Sequence, residues 1–319
     1  MDNVEDVGQA AASSTRARSD GPDPIQVVDL FAGAGGLSMG FELAGFDVVA
    51  AYDWWAPAVD CYRANFKHPI HEWDLQNIEM TLEHMAAYEP QLIIGGPPCQ
   101  DFSSAGKRRE GNNASLTEAF AEIAIGCNPA AIIMENVPRA KSSWAWQGAK
   151  ELFYGAGYSS VEVVLDASYY GAPQVRKRVF CVAMKDSRVG LFLDSIESVK
   201  SSEQLSVADY MDSELDFTDY YRHPRNYSRR AVYSIFEPSA TIRGVNRPVP
   251  PSYPGHPLDT APAHTVKPLT TYQRGRIQTF PKDWLWPENS SKAKTEQLIG
   301  NAVPVELAHS VASGIKEVL

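Results

Sequence analysis

Short apolar runs and amphipathic stretches alternate along the first part of the chain. Residues 25–31, 47–53, 69–73, 91–94, 130–134, 158–165 and 179–184 have the length and apolar character of buried strands. Helical spacing follows the first of these up to Ala44 and recurs over 116–126 and 150–157. Strands that alternate with helices predict an α/β domain built on an open, mostly parallel sheet. From Asp186 to about His264 the alternation stops and prolines and tyrosines accumulate, which predicts a separate loop-rich module. Helical spacing returns over 270–279 and is ended by Phe280-Pro281, and residues 295–300 lead into a last helix over 305–318, expected to pack back on the first domain. Residues 1–23, rich in Ala, Ser, Asp and Gly without periodic apolar positions, read as a disordered tail. The expected division is therefore a tail over 1–23, a first domain over 24–185 completed by 290–319, and a second over 186–289.

Composition narrows the class without naming it. The 319 residues are enough for one large domain or two. No apolar run reaches the roughly 20 residues of a membrane span, and the first 20 residues lack the apolar centre of a signal peptide, so a cytoplasmic protein is expected. Cys61, Cys99, Cys127 and Cys181 form no Cys-x-x-Cys pair, which argues against zinc, a redox dithiol or a disulfide framework, and no metal is expected. A formal net charge of -10 excludes a general polyanion binder, so a nucleic-acid surface must be a local basic patch. The second region offers one: Arg222, Arg225, Arg229, Arg230, Arg243 and Arg247 are interleaved with Tyr220, Tyr221, Tyr227 and Tyr233 and have few acids after Asp219. A partner-protein surface has a similar composition.

The chemistry gathers where predicted strands end. The strand over 25–31 runs into Ala32-Gly-Ala-Gly-Gly36 and then a helix, an arrangement that lets backbone approach a ligand at a helix N-terminus. The next strand ends in Asp53, about 20 residues on, where a carboxylate can accept from ribose hydroxyls, and Trp54 beside it can stack on an adenine. Asp74 follows the third strand. These features fit an adenosine-containing cofactor and leave a dinucleotide and S-adenosylmethionine open. After 91–94 comes Gly-Gly-Pro-Pro-Cys-Gln-Asp-Phe-Ser-Ser104, in which two prolines fix the turn that carries Cys99, as suits a nucleophile; a small buried cysteine is the competing reading. Lys107, Arg108 and Arg109 lie in a polar loop over 103–113 that reads as mobile and phosphate-seeking, with an ordinary solvated charge run as the competing reading. The strand over 130–134 delivers Glu135, so Cys99 and Glu135 are expected to face one site from adjacent strand ends. Gln174, Arg176 and Arg178 alternate and are expected to point to one side of an extended segment, toward an anion or a base edge.

Taken in order, the chain resembles the DNA cytosine-5 methyltransferase family. The blocks that carry the resemblance are Asp29-Leu-Phe-Ala-Gly-Ala-Gly-Gly36, Asp53-Trp54, Asp74, Pro97-Pro-Cys-Gln-x-Phe-Ser103, Glu135-Asn-Val137, Gln174-x-Arg-x-Arg178, Arg276-x-Gln-x-Phe-Pro281 and Gly300-Asn-Ala-Val-Pro304. They span nearly the whole chain beyond the tail. The departures are Asp101, where the family commonly has a small or apolar residue or proline, Asp53 in place of glutamate, and Gln273 where glutamate is frequent. The resemblance implies a Rossmann-like S-adenosylmethionine-dependent methyltransferase domain with a smaller target-recognition domain, acting as a monomer on double-stranded DNA. It assigns Cys99 to addition at cytosine C6, Glu135 to N3 and the exocyclic amine, and Arg178 with Arg176 to the O2 side, and it makes the loop over 103–113 a lid. S-adenosylmethionine is implied as cofactor, with Phe31, Gly33, Gly35, Gly36, Asp53, Trp54, Asp74, Pro97 and Asn301 around it. DNA contacts are expected from Gln100, Ser103, Lys107, Arg108, Gln174, Arg225, Arg229, Arg230 and Arg243. A relative that methylates tRNA shares the catalytic blocks but carries a Cys-Phe-Thr signature absent here, and intact Cys99, Glu135 and Arg178 argue against a catalytically silent DNA-binding regulator.

Overall fold

The fold is taken from a computed structural model, which describes residues 24–98 and 112–319. Seven strands form the main sheet in the order β3-β2-β1-β4-β5-β8-β6, where β1 is Gln26–Leu30, β2 Asp47–Asp53, β3 Ile70–Glu72, β4 Leu92–Gly95, β5 Ala131–Asn136, β6 Ser159–Asp166 and β8 Lys177–Met184. The first five run parallel, and β8 inserts antiparallel between β5 and β6. Strand order reverses at β1, which pairs with β2 on one side and β4 on the other, and a crevice at such a point is where open α/β sheets bind ligands.

The twofold repeat of the strands explains the two-faced core. Val27, Ile94, Ile133 and Phe180 turn to one face, under helices α1 (Gly36–Leu43) and α10 (Val305–Lys316), where Phe41, Leu307, Val311 and Ile315 meet them. Val28, Ile93, Ile132 and Val179 turn to the other, under α4 (Asn112–Gly126) and α5 (Trp144–Gly155), which bring Phe120, Trp146 and Phe153. The last helix thus packs back on the first domain, as its apolar spacing predicts. Helices α2 (Ala56–Asn65) and α3 (Ile78–Met85) cover the β2–β3 edge.

The second region has its own small core, in which Val207, Met211, Tyr220, Ile235, Ile242, Leu269 and Ile277 pack together with Ile299. Its strands are short: β9 (Asp219–Tyr221) pairs antiparallel with β10 (Val232–Ser234), and β11 (Ser239–Ala240) runs parallel to β7 (Gln174–Val175), the segment just before β8. Helix α7 (Val207–Met211) lies beside α8 (Thr271–Ile277), and α9 (Lys292–Asn301) supplies Ile299. Two boundaries differ from expectation. Val189, Phe192 and Ile196 belong to the first core, because α6 (Leu191–Ser198) packs on α10, so the first domain extends past Asp186. Phe280 and Trp284 pack with Ala58 and Cys61 of α2, and Asn65 Nδ2 donates to Leu285 O at 2.9 Å, so this stretch leans on the first domain as well. Among the described residues no helix is long and apolar enough to cross a membrane, and no three His, Cys, Asp or Glu side chains gather as a metal site.

Candidate active site

A cavity of about 1210 Å³ opens between the carboxyl ends of β1, β2, β4 and β5 and the arginine-bearing wall of the second region. Its sheet side is built by turns whose residues have distinct tasks. Phe31 leaves β1 with φ 60°, a left-handed conformation that a bulky side chain seldom adopts, and this turns the chain across the strand ends. At Gly33, φ is +58° and a Cβ would meet nothing within 4 Å, so its backbone lies open to the cavity. Gly35 and Gly36 are held by close packing, since a Cβ would come 2.3 Å from the Phe66 ring at Gly35 and 2.1 Å from Val303 O at Gly36, and Gly36 also lines the cavity. Gly35 does not line the cavity, which revises its expected place beside a cofactor.

Asp53, 8% exposed, accepts Gly33 N–H at 2.9 Å through Oδ2 and Trp55 N–H at 2.8 Å through Oδ1. It therefore ties the glycine turn to the end of β2 while each oxygen keeps a further lone pair. Burial raises its pKa above the ordinary carboxylate value, against these hydrogen bonds, which hold it down. Trp54 is 66% exposed and stands in the cavity wall with Phe31, Pro97 and Asn301. Asp74 is exposed, is not part of that wall, and turns its carboxylate onto Gln76 N at 3.0 Å, so the structure does not bring it to the others.

On the neighbouring strand end, Glu135 is 7% exposed and its Oε1 lies 2.8 Å from Arg178 Nε. The register explains the encounter, because Glu135 pairs with Phe180 and the antiparallel β8 brings Arg178 past the end of β5. Burial is the main influence on Glu135 and raises its pKa; the charges of Arg178 and Arg176 oppose it. The other oxygen lies over Gly96, where a Cβ would stand 3.0 Å away, a close contact that the absence of a side chain before the two prolines relieves. Asn136 fixes the same turn, donating through Nδ2 to Pro97 O at 3.2 Å while its Oδ1 accepts Val137 N at 2.8 Å. The chain that leads to Cys99 is thus held from the Glu135 strand. Cys99, Gln100, Asp101, Ser103, Lys107, Arg108 and Arg109 lie outside the described residues, and α4 begins at Asn112, inside the stretch expected to be a lid.

Arg176 is 1% exposed and donates through Nη1 to Ile242 O at 2.8 Å and through Nη2 to Gly300 O at 2.9 Å and Ala302 O at 2.8 Å. Arg176 also lines the cavity beside Arg178, and the Nη groups of its guanidinium are engaged with backbone carbonyls. Gln174 is fully buried, with its amide donating to Gln278 Oε1 at 2.6 Å and Ile277 O at 3.1 Å and accepting Ile242 N at 3.1 Å. An amide used at both ends inside the chain has no edge for DNA, and the three alternating residues do not share one exposed side. Of the second region's arginines, Arg225, Arg229 and Arg243 line the cavity. Arg230 lines it too but is already paired with Glu237 and lies over the Tyr233 ring at 4.4 Å. Arg222, a member of the basic patch read from the sequence, lines the cavity too, and Gly96 and Thr241 are contributors that the sequence does not single out, since each acts only through a partner distant along the chain.

An open sheet with a ligand crevice at its strand reversal, joined to a buried acid–guanidinium pair and a basic wall, has the architecture of an α/β enzyme whose cleft suits an anionic ligand. The family model for C-5 cytosine-specific DNA methylases matches residues 25–317. The chain is 48% identical over 296 residues to the Type II methyltransferase M.HgiDI of Herpetosiphon aurantiacus, covering 92% of this chain and 95% of the relative. It is 46% identical over 294 residues to M.HindV of Haemophilus influenzae, covering 91% and 96%. The fold is similar to those of the Dnmt2 methyltransferase of S. pombe (TM-score 0.73, 18% identity, 92% of this chain and 99% of that one) and the methyltransferase EhMeth of Entamoeba histolytica (TM-score 0.69, 16% identity, 93% and 99%). The chain belongs to the C-5 cytosine-specific DNA methylase family and is a DNA (cytosine-5-)-methyltransferase.

Proposed function

We propose that the chain methylates C5 of a cytosine flipped out of double-stranded DNA at a specific sequence, using S-adenosylmethionine and a covalent bond from Cys99. The observation that carries this reading is the buried Glu135–Arg178 pair at the end of the strand next to the one that leads into Pro97-Pro98-Cys99. The residues around the β1 crevice fit the cofactor: Gly33 presents backbone to open space, Asp53 has lone pairs left for ribose hydroxyls, and Trp54 and Phe31 offer ring surface to an adenine. Bound there, S-adenosylmethionine supplies an electrophilic sulfonium methyl.

The protein's part is to make cytosine C5 nucleophilic. Cys99 Sγ bonds to C6, the C5=C6 electron pair shifts to C5, and Glu135 donates a proton toward N3, which disperses the charge. Burial, which raises the Glu135 pKa, favours the protonated carboxyl that this step uses, and the Arg178 charge opposes that rise while its N–H groups are offered to O2. After methyl transfer C5 loses its proton, Sγ leaves C6, and the ring is restored. A stacked base hides C6, so the cytosine must leave the helix at a cost of about a few kcal/mol. The basic wall of the second region, with Arg225, Arg229 and Arg243, is the surface for the duplex, and the names of the Type II relatives support a modification role at one recognised sequence, as in a restriction-modification pair. The enzyme acts as a monomer in the cytoplasm.

The test is trapping. A duplex with 5-fluorocytosine at the target position blocks the final proton loss, so wild type with cofactor gives a denaturant-resistant adduct and Cys99→Ala gives none. An equal adduct from Cys99→Ala refutes the assignment.

A further inference from the structure

The cavity's arginines differ sharply in what already satisfies them. Arg178 and Arg230 have carboxylates, and Arg176 has three carbonyls. Arg222 donates through Nε and Nη2 to a single carbonyl, Thr241 O, at 3.2 and 2.7 Å. Arg243 donates through Nη2 to His223 O. Among the described residues neither has a carboxylate within ion-pair distance. Burial and then the charges of Arg222, Arg225 and Arg274 push the Arg243 guanidinium down to about 10, so a half-buried cation is kept among like charges. Such a cluster is stabilised by an anion, and a neutral base edge would leave its repulsion in place.

The location identifies which anion. The Arg243 backbone is fixed on the catalytic side of the cleft: Ile242 N donates to Gln174 Oε1 at 3.1 Å, Thr241 Oγ1 donates to Val175 O at 2.7 Å, and Arg274 donates to Arg243 O. β11 runs parallel to β7 with Ala240 opposite Val175, so three residues further on each chain reaches Arg243 and Arg178. Both residues line the one cavity. Arg225 and Arg229, in contrast, are exposed in a loop. Arg178 marks the base pocket, so Arg243 belongs beside the flipped nucleotide and the exposed pair belongs out along the duplex.

We propose that Arg243, with Arg222 behind it, is the clamp for a DNA phosphate next to the flipped cytosine, a positioning residue that holds the pivot about which the base turns. The assignment rests on the cytosine pocket proposed above. It separates Arg243 from residues that read sequence and from those that grip the duplex at large.

The experiment uses the recognised sequence found by mapping methylated cytosines, in duplexes carrying one neutral methylphosphonate linkage at each position in turn. Affinity is measured by fluorescence anisotropy with S-adenosylhomocysteine present. In wild type, neutralising a phosphate that flanks the target cytosine weakens binding by about tenfold or more, as expected for loss of a charge-assisted hydrogen bond. In Arg243→Gln the same linkage changes affinity by less than about twofold, Arg243→Lys retains most of the wild-type penalty, and Arg225→Ala retains all of it. S-adenosylhomocysteine binding by each variant shows that it is folded. A full penalty in Arg243→Gln overturns the clamp, as does an intact penalty accompanied by relaxed preference at one base pair, the result expected of a guanine reader. If wild type is trapped by 5-fluorocytosine yet shows no flanking-phosphate penalty, this inference fails while the proposed function stands; absence of trapping fails the function itself.

Discussion

Replacing Arg176 with methionine keeps a long apolar stem and removes only the guanidinium. The side chain is 1% exposed, and its Nη atoms serve Ile242 O, Gly300 O and Ala302 O at 2.8 to 2.9 Å. Ala302 O retains Gln278 Nε2 at 3.2 Å, so the change mainly strips Ile242 O and Gly300 O of a charged donor. A buried carbonyl left without a partner costs about 1–3 kcal/mol, so two give about 2–6 kcal/mol, offset in part because the guanidinium no longer has to be desolvated. The expected net loss is about 3 kcal/mol in urea unfolding. Because Ile242 belongs to the second region and Gly300 and Ala302 to the carboxyl-terminal segment, the weakened element is the joint, and DNA affinity falls while S-adenosylmethionine affinity, measured by calorimetry, stays within about twofold. At saturating DNA the fluorocytosine adduct still forms. Unfolding free energy unchanged within about 0.5 kcal/mol, together with a collapse of the single-turnover rate, would instead place Arg176 in the chemistry and refute this reasoning.

Two further outcomes follow from packing and burial. In Gly300→Ala the new Cβ would stand 2.1 Å from Gly244 N and 2.4 Å from Arg243 C, backbone that cannot step aside, so the variant should lose at least about 1–3 kcal/mol and most DNA affinity; normal stability and binding would mean that this contact is not tight in solution. Asp29 is fully buried, Oδ2 accepts Ser38 Oγ at 2.6 Å, Oδ1 has no hydrogen-bond partner among the described residues, and burial pushes the carboxyl up to about 7 from 3.8. Its folded form therefore keeps a proton that the unfolded chain loses, and its contribution to stability is full below about pH 4 and is lost as pH rises toward 7, by on the order of 4 kcal/mol at most. Asp29→Asn should gain on wild type over that window in denaturant unfolding at fixed pH values, and a difference that does not vary with pH would exclude the linkage.

The first domain was legible because its information is local. A strand such as β2 announces itself through its apolar run and ends at the acid the pattern assigns to it, and the alternation of Val27 and Val28 already contains the two faces of the core. The site was legible to the extent that its residues sit at strand ends: Glu135, Asp53 and Arg178 lie at the cavity as expected. Arg176 and Gln174 are more enclosed than their alternation suggests, for a physical reason. Alternation fixes the side of a strand that a residue faces, but not whether water or another segment covers that side, and here Ile242, Gln278 and Gly300 do. The glycines make the same point, since Gly33, Gly35 and Gly36 look equivalent in sequence and are separated only by the distant neighbours Phe66 and Val303. The boundary at Asp186 was placed where alternation ends, but an isolated amphipathic helix such as α6 joins whichever core accepts Phe192 and Ile196.

The seam between β7 and β11 has a consequence for making new specificities by exchanging parts between relatives. A graft cut at 186 and 289 would carry β11, Thr241 and Arg243 into a host whose Gln174, Val175 and Arg176 were shaped for other backbone, and would separate Arg274 from Glu296, a pair 4% and 2% exposed. The transferable unit is therefore discontinuous in sequence. A chimera that moves 174–176 and the Glu296 helix together with the donor's recognition segment keeps both sides of the seam matched, and its outer crossover points belong before Gln174 and after Asn301.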